Sequence, residues 1–244
     1  QLKDLEGNHF FFLESSGMAT IYAAREAIEV LKQRAAITWG IPLEDVAWEA
    51  GHAVATGKGH GNLPKLSLRE IAAKSGRTGG PIAGHNEVTA DGAGMGFASH
   101  ICDVEVDPET GRSTIVRYTV VQDAGKAINP DYVEGQFQGG ATQGIGWALN
   151  EEYIYGADGR LQNPGFLDYR IPVCSDLPFI DTKILEIPNP SHPYGVRGVG
   201  ETSIVPPLAA VANAIANAAG VRMGHAPMSP PRVLAALDAM ENAG

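Results

Sequence analysis

Glu201 stands in the run Tyr194-Gly195-Val196-Arg197-Gly198-Val199-Gly200-Glu201-Thr202, ahead of a long Ala/Val/Ile-rich segment. Three glycines, Gly195, Gly198 and Gly200, fall within six residues and let the backbone bend tightly and approach a bulky ligand. Pro206-Pro207-Leu208 through Ala219 reads as a buried helix with proline in its first turn. The carboxylate is therefore expected where a flexible loop enters a core helix. Burial without a partner is costly and raises a carboxyl pKa, which is how a general base comes to be poised near neutral pH. The same placement suits a glutamate that favours the positive end of a helix. This segment alone favours the cap, because caps far outnumber catalytic bases.

A second cluster is Gly135-Gln136-Phe137-Gln138-Gly139-Gly140-Ala141-Thr142-Gln143-Gly144-Ile145-Gly146-Trp147. Gly139, Gly140, Gly144 and Gly146 lie in a segment that otherwise reads as helix, and each costs roughly 1 kcal/mol against alanine. Such a cost calls for a packing or a ligand reason. Gln143 among these glycines either offers an amide to a ligand pressed against the backbone or is a satisfied buried amide in a tight helix–helix contact.

The remaining chemistry is thin. Seven histidines show no HExxH or short paired spacing, which speaks against a protein-ligated metal. Gly92-Ala93-Gly94-Met95-Gly96 lacks GxGxxG spacing, and no GxSxG occurs. Cys102 and Cys174 form no CxxC, so the chain carries no iron–sulfur cluster or zinc ribbon, and two lone thiols fit a reducing cytoplasm. Trp39, Trp48 and Trp147 are read as core or interface residues, and Tyr169 as a core residue.

The 244 residues suffice for one large or two small domains with a real core. Hydrophobic content of 44% and charged content of 19% are those of an ordinary globular chain. A net charge of −10 without any basic run excludes nonspecific nucleic-acid binding. No apolar stretch is read as reaching the roughly 18 residues of a membrane span. Phe10-Phe11-Phe12-Leu13 is too short, and the start lacks a signal-peptide pattern.

Helical spacing of apolar residues predicts a helix from about 18 to 36. Short strands are expected over 44–55 around Gly51-His52, then a short helix over Leu66–Ala73 capped by Ser67. A polar loop over His85–Gly96 contains an Asp91-Gly92 turn. Ala98–Val106 alternates as a strand, turns at Asp107-Pro108-Glu109-Thr110-Gly111 and returns from Ser113 to Val121. Asn129-Pro130 opens a buried helix over 133–149. A second hairpin is expected from Glu152-Tyr153-Ile154-Tyr155 back through Leu161, and a last helix from Ser229-Pro230-Pro231 with Ser229 as its cap. Strands and helices without a regular βαβ rhythm give an α+β class, mixed sheets with packed helices.

Six pieces in order resemble one family. They are Asp103 to Gly111, Asp123-Ala124-Gly125-Lys126-Ala127-Ile128-Asn129-Pro130, Glu134-Gly135-Gln136 through Gln143-Gly144-Ile145-Gly146, Asp168-Tyr169-Arg170-Ile171-Pro172, Gly198-Val199-Gly200-Glu201, and Ala210 to Ile215. Over residues 17 to 239 the chain resembles the carboxy-terminal half of the molybdopterin-binding large subunit of the xanthine dehydrogenase and aldehyde oxidoreductase family of molybdenum hydroxylases. The whole of 1–244 is then expected to be the second half of that molybdopterin-binding region, with room for two intertwined α+β subdomains divided near 90–130.

The resemblance implies molybdenum held through molybdopterin, with the cytosine dinucleotide form common in bacteria. It makes Glu201 the general base beside the metal, in the oxidation of an aldehyde or N-heterocycle with water-derived oxygen. Gln143 matches the glutamine that contacts the pterin, and Gly198 and Gly200 match glycines that let their loop approach it. Arg197 either reaches a phosphate or faces solvent. The chain lacks the family's amino-terminal half, which implies a split subunit with a partner chain or a fragment that would expose a large apolar face. Iron–sulfur clusters and FAD are expected on partner subunits, in the cytoplasm. Asn8 to Ser16 departs from the family's cofactor-binding loop, so that contact is not carried over. The alternative expectation is a non-catalytic structural or assembly subunit of such a complex.

Overall fold

The computed structural model describes residues 17–88, 94–192 and 194–242. The Asp91-Gly92 turn and the segment 8–16 lie outside the described residues. The chain divides into two compact units, one over Phe11–Ala90 and one formed mainly by Asp91–Gly244.

In the first unit, helix α1 (Met18–Trp39) buries Leu31, Ala35 and Ala36. It ends at Gly40, whose φ of 69° lets its N–H return to the Ala36 carbonyl at 2.8 Å. Strands β1 (Val46–Glu49) and β2 (His52–Ala55) form a hairpin, joined by Ala50 and Gly51, both at positive φ as a tight two-residue turn requires. Leu31, Ala35, Val46, Ala53, Leu66 and Ile71 make the core, with Trp39 and Trp48 packed against it. The expected Leu66–Ala73 helix starts later. Leu66 and Ser67 pair with Ala53 and His52 as β3, and helix α2 runs Leu68–Ala73. A short helix α3 (Ser75–Thr78) follows. Ser67 does cap α2: its Oγ accepts from Glu70 N, and Glu70 Oε2 accepts from Ser67 N at 2.8 Å.

In the second unit, β4 (Ala98–Val106) and β5 (Ser113–Asp123) pair antiparallel, and β6 (Ile180–Leu185) joins β5 in parallel, so β5 is central. The expected turn is held by Asp107, which accepts from Glu109 N at 2.9 Å and Thr110 Oγ1 at 2.7 Å. Those bonds, Thr110 first, hold the Asp107 carboxyl below its ordinary range. Between β5 and β6 runs helix α4 (Pro130–Leu149), opened by Asn129 with proline in its first turn. Helices α5 (Pro207–Ala219) and α6 (Pro230–Glu241) complete the unit. Tyr118, Val120, Phe137, Ile145, Val211 and Ile215 form its core. Full burial of side chains of this size contributes roughly 1.5–3 kcal/mol each.

Three expectations change. The 152–161 hairpin reduces to one bridge between Tyr155 and Leu161. Asn163 takes the place of a ladder partner, accepting from Ile154 N at 3.0 Å and donating to the Glu152 carbonyl at 2.7 Å. Ser229 makes no side-chain cap. Pro230 and Pro231 lack N–H groups, and the first available donor, Arg232 N, bonds the Ser229 carbonyl at 2.9 Å instead. Thr202–Ala219 does reach 18 residues with a mean hydropathy of 1.2. It is broken into a 3-10 turn and a 13-residue helix. At 1.5 Å per residue that helix is about 20 Å long, short of the roughly 30 Å apolar layer of a membrane. Phe166 and Leu167 in this unit are almost fully exposed, at 97% and 99%.

Two measurements follow from this packing. Ser67→Ala removes one half of the capping box and should cost about 1 kcal/mol in a urea unfolding curve. His100 Nδ1 lies 2.9 Å from Tyr118 Oη, and burial pulls the imidazole from 6.5 to about 4. The folded chain thus binds its proton later than the unfolded chain. Its share of stability is present above 6.5 and is lost as pH falls toward about 4. The urea midpoint should fall across that window, and His100→Gln should flatten the fall.

Candidate functional site

The segment around Glu201 is built on the end of β5. Arg197 N bonds the Ala124 carbonyl at 3.0 Å, and Lys126 N bonds the Gly195 carbonyl at 2.8 Å. Gly125 and Val196 form an antiparallel bridge. Gly125 and Gly195 both need glycine, with φ of 60° and 67°. A Cβ on Gly125 would also stand 2.8 Å from Arg197 N. Gly198 and Gly200 do not adopt positive φ, so the tight bend belongs to Gly195, with Gly125 opposite it.

Asp123 is 1% exposed, yet it holds this region together. Its Oδ1 accepts from Gly125 N at 2.9 Å and Ile187 N at 3.1 Å. Its Oδ2 lies 2.8 Å from Arg197 Nε. That N–H is directed at the Ile187 carbonyl, 3.2 Å away, so the contact with Asp123 is Coulombic rather than a hydrogen bond. Arg197 Nη1 donates to the Met95 carbonyl at 2.6 Å. The sequence left Arg197 to a phosphate or to solvent, and its side chain is only 12% exposed. It is a buried-carboxylate partner that pins three segments, 95, 123 and 187. Neither Asp123 nor the fully buried Gln122 stood out as site residues in the sequence. The signal available was only their place ahead of Ala124-Gly125.

Glu201 itself opens a 3-10 turn, Thr202–Ile204, and is exposed, whereas Ser203 two residues on is fully buried. The expectation of a buried carboxylate is therefore corrected. What is buried is the turn beneath it. The α4 glycines explain how the turn gets there. A Cβ on Gly140 would stand 2.8 Å from Ser203 Cβ, and one on Gly144 would stand 2.7 Å from the Ile204 carbonyl and from Pro207 Cγ. Gly146 closes against Pro172 Cδ at 2.8 Å. Gly139 has nothing within 4 Å.

Gln143 is exposed on α4 rather than buried and satisfied. Gly200 lies nearest another glutamine, Gln136, whose Oε1 would be 3.8 Å from a Cβ placed there. Gln136 and Gln143 are seven residues apart and share a helix face with the open Gly139. Two turns separate them, about 10 Å along the axis. The structure thus brings Gly200 and the turn after Glu201 against α4, beside Gln136 and Gly140. Gly198 is half-buried in the same loop. An exposed amide beside helix backbone that carries no side chain fits the close approach of a flat heterocycle. Among the described residues no group of three His, Cys, Asp or Glu could hold a metal.

Three cavities lie away from these residues. Volumes of about 400, 410 and 300 Å³ open beside Arg112 and Arg170, beside Cys174 and Phe179, and beside Phe166 and Tyr169, none lined by Glu201 or Gln143. Two aromatic residues expected in a core or interface are not buried. Trp147 is half exposed. Tyr169 donates from its hydroxyl to Glu151 Oε2 at 2.7 Å, a bond that pushes its pKa up to about 12.

Removing the guanidinium tests the anchor. Arg197→Met leaves Asp123 buried without its cation and should cost about 3–5 kcal/mol in the stability of the second unit, read by urea unfolding.

The family described as molybdopterin cofactor-binding domain matches residues 11–178, more than half of the chain. The xanthine dehydrogenase molybdenum-binding subunit of Escherichia coli O157:H7 is 36% identical over 174 residues, 70% of this chain and 23% of that protein. The aldehyde oxidoreductase of Megalodesulfovibrio gigas is 37% identical over 145 residues, 59% of this chain and 15% of that protein. The crystal structure of quinoline 2-oxidoreductase from Pseudomonas putida 86 superposes with a TM-score of 0.67 at 29% identity, covering 87% of this chain and 28% of that one. The chain spans about a quarter or less of the length of these relatives. The fold, the order of the motifs and these likenesses agree: the chain belongs to the molybdopterin cofactor-binding domain family of xanthine dehydrogenase-type molybdenum oxidoreductases.

Proposed function

We propose that this chain is the part of a molybdenum hydroxylase that supplies the general base, Glu201, for oxidising an aldehyde or an N-heterocycle with water-derived oxygen. One observation carries the reading. Glu201 is exposed at the head of a turn in which Ser203 is buried against Gly140 and the Ile204 carbonyl closes on Gly144 of α4. An exposed carboxylate carried by a backbone that is held from beneath is what proton transfer at a fixed position needs. The relatives named above are a dehydrogenase's molybdenum-binding subunit and two oxidoreductases, and the family's activity is carried here only as far as the residues that match it.

Gln143 would donate its amide to the pterin, and Gly198 and Gly200 would let their loop lie close to it. When bound, molybdopterin would supply a metal that acidifies water-derived oxygen and takes up electrons from the substrate. Glu201 would accept the proton at a carboxylate oxygen. Arg197 keeps no role toward a phosphate in this reading, since its guanidinium is engaged by Asp123 and by the Ile187 and Met95 carbonyls. The pterin would be in its cytosine dinucleotide form, the other half of the large subunit would complete the substrate funnel, and iron–sulfur and FAD subunits would carry electrons away in the cytoplasm.

Glu201→Gln keeps the size of the side chain and removes the base. In the natively purified assembly it should lower kcat by at least about a hundredfold, the scale of a lost general base. Molybdenum and pterin content should stay at wild-type levels. Wild-type turnover in this variant would leave the chain as a non-catalytic structural subunit.

A further inference from the structure

We propose that Gln122 and Asp123, the last two residues of β5, are positioning residues that clamp the segment 197–203 on both sides of Glu201. The catalytic arm of this inference rests on the reading of Glu201 as the base, while the clamp itself does not. Successive residues of a strand point to opposite sides. Asp123 grips the segment ahead of Glu201, through Arg197 Nε at 2.8 Å. Gln122 grips the segment behind it: its amide Nε2 donates to Thr202 Oγ1, and its Oε1 accepts from Ser203 Oγ at 2.7 Å.

Both side chains are buried, at 0% and 1% exposure. Burying an amide and a carboxylate is costly unless they are paired, and Arg197, Thr202 and Ser203 among their partners flank one exposed glutamate. The amide uses both of its ends on two adjacent hydroxyls, so it ties Thr202 and Ser203 to β5 at two points. Strand β5 is the central strand of its sheet, which makes the clamp's base rigid. The clamp therefore sets where the Glu201 carboxylate stands, and a misplacement of about 1 Å can cost on the order of a hundredfold in rate.

Gln122→Met keeps the volume and removes both hydrogen bonds. Two readouts decide the matter. Amide hydrogen exchange across 198–204 should rise by at least about tenfold while the β4–β5 core keeps its protection, since local opening is set by local bonds. In the natively purified assembly, kcat should fall by about 10- to 100-fold with KM within about twofold and molybdenum content unchanged, and the acid limb of the kcat–pH profile should shift. If Gln122→Met does not fold, Thr202→Val removes only the acceptor of the amide at a half-buried site and should move both readouts in the same direction. Wild-type exchange across 198–204 in the folded variants would overturn the clamp. Wild-type kcat and pH profile with raised exchange would overturn its catalytic role. Activity in Glu201→Gln would sink the reading of the base alone, because the exchange result stands without it.

Discussion

The buried carboxylate of Asp123 is the constraint on which the second unit turns. A charge at 1% exposure must be paired or it unfolds its surroundings. Asp123 accepts from two backbone N–H groups at Oδ1 and faces the Arg197 cation at Oδ2, and those partners come from three separate stretches of chain. Satisfying one side chain thereby fixes where the loop after β5, the loop after β6 and the glycine-rich loop meet. At Gly125 a Cβ would stand 2.4 Å from the Gly195 carbonyl oxygen, and Gly125 and Gly195 both carry the left-handed φ that glycine adopts at little cost.

Helix α4 supplies the second constraint. Its glycines are expensive for a helix, and the structure shows what offsets that cost. Gly140 and Gly144 admit the turn after Glu201 and the start of α5, while Phe137, Ala141 and Ile145 on the same helix fill the core. One helix thus anchors the hydrophobic cluster and seats the loop that holds the candidate base. Its remaining face, with Gln136, Gly139 and Gln143, is left open to a ligand.

The elements that were legible in the sequence are those whose signals are local. The β4–β5 hairpin follows from alternation and from an Asp-Pro-Glu-Thr-Gly turn whose side chains bond their own neighbours. Helix α1 follows from apolar spacing and a terminal glycine. Where the reading failed, a distant or substituted partner was at work. The 152–161 hairpin lost its ladder to the Asn163 side chain, and the α6 cap was lost because two prolines removed the donors a serine would bond. Thr202–Ala219 has the length and hydropathy of a span, yet Pro206 and Pro207 divide it, and Val211 and Ile215 bury into the core.

The sequence by itself determined the class of the fold, the order of the family's motifs, the glycine cost in α4 and the identity of Glu201, Gln143, Gly198 and Gly200 as candidates. Only the tertiary structure decided that Glu201 is exposed above a buried turn, that Gln143 lies on an open helix face, and that Arg197 serves Asp123. The reason is separation along the chain. Ile187 is 64 residues from Asp123, Ser203 is 81 from Gln122, and Met95 is 102 from Arg197. No periodicity or turn rule reaches across such distances, and which polar groups share a buried site is settled only when the core closes around them.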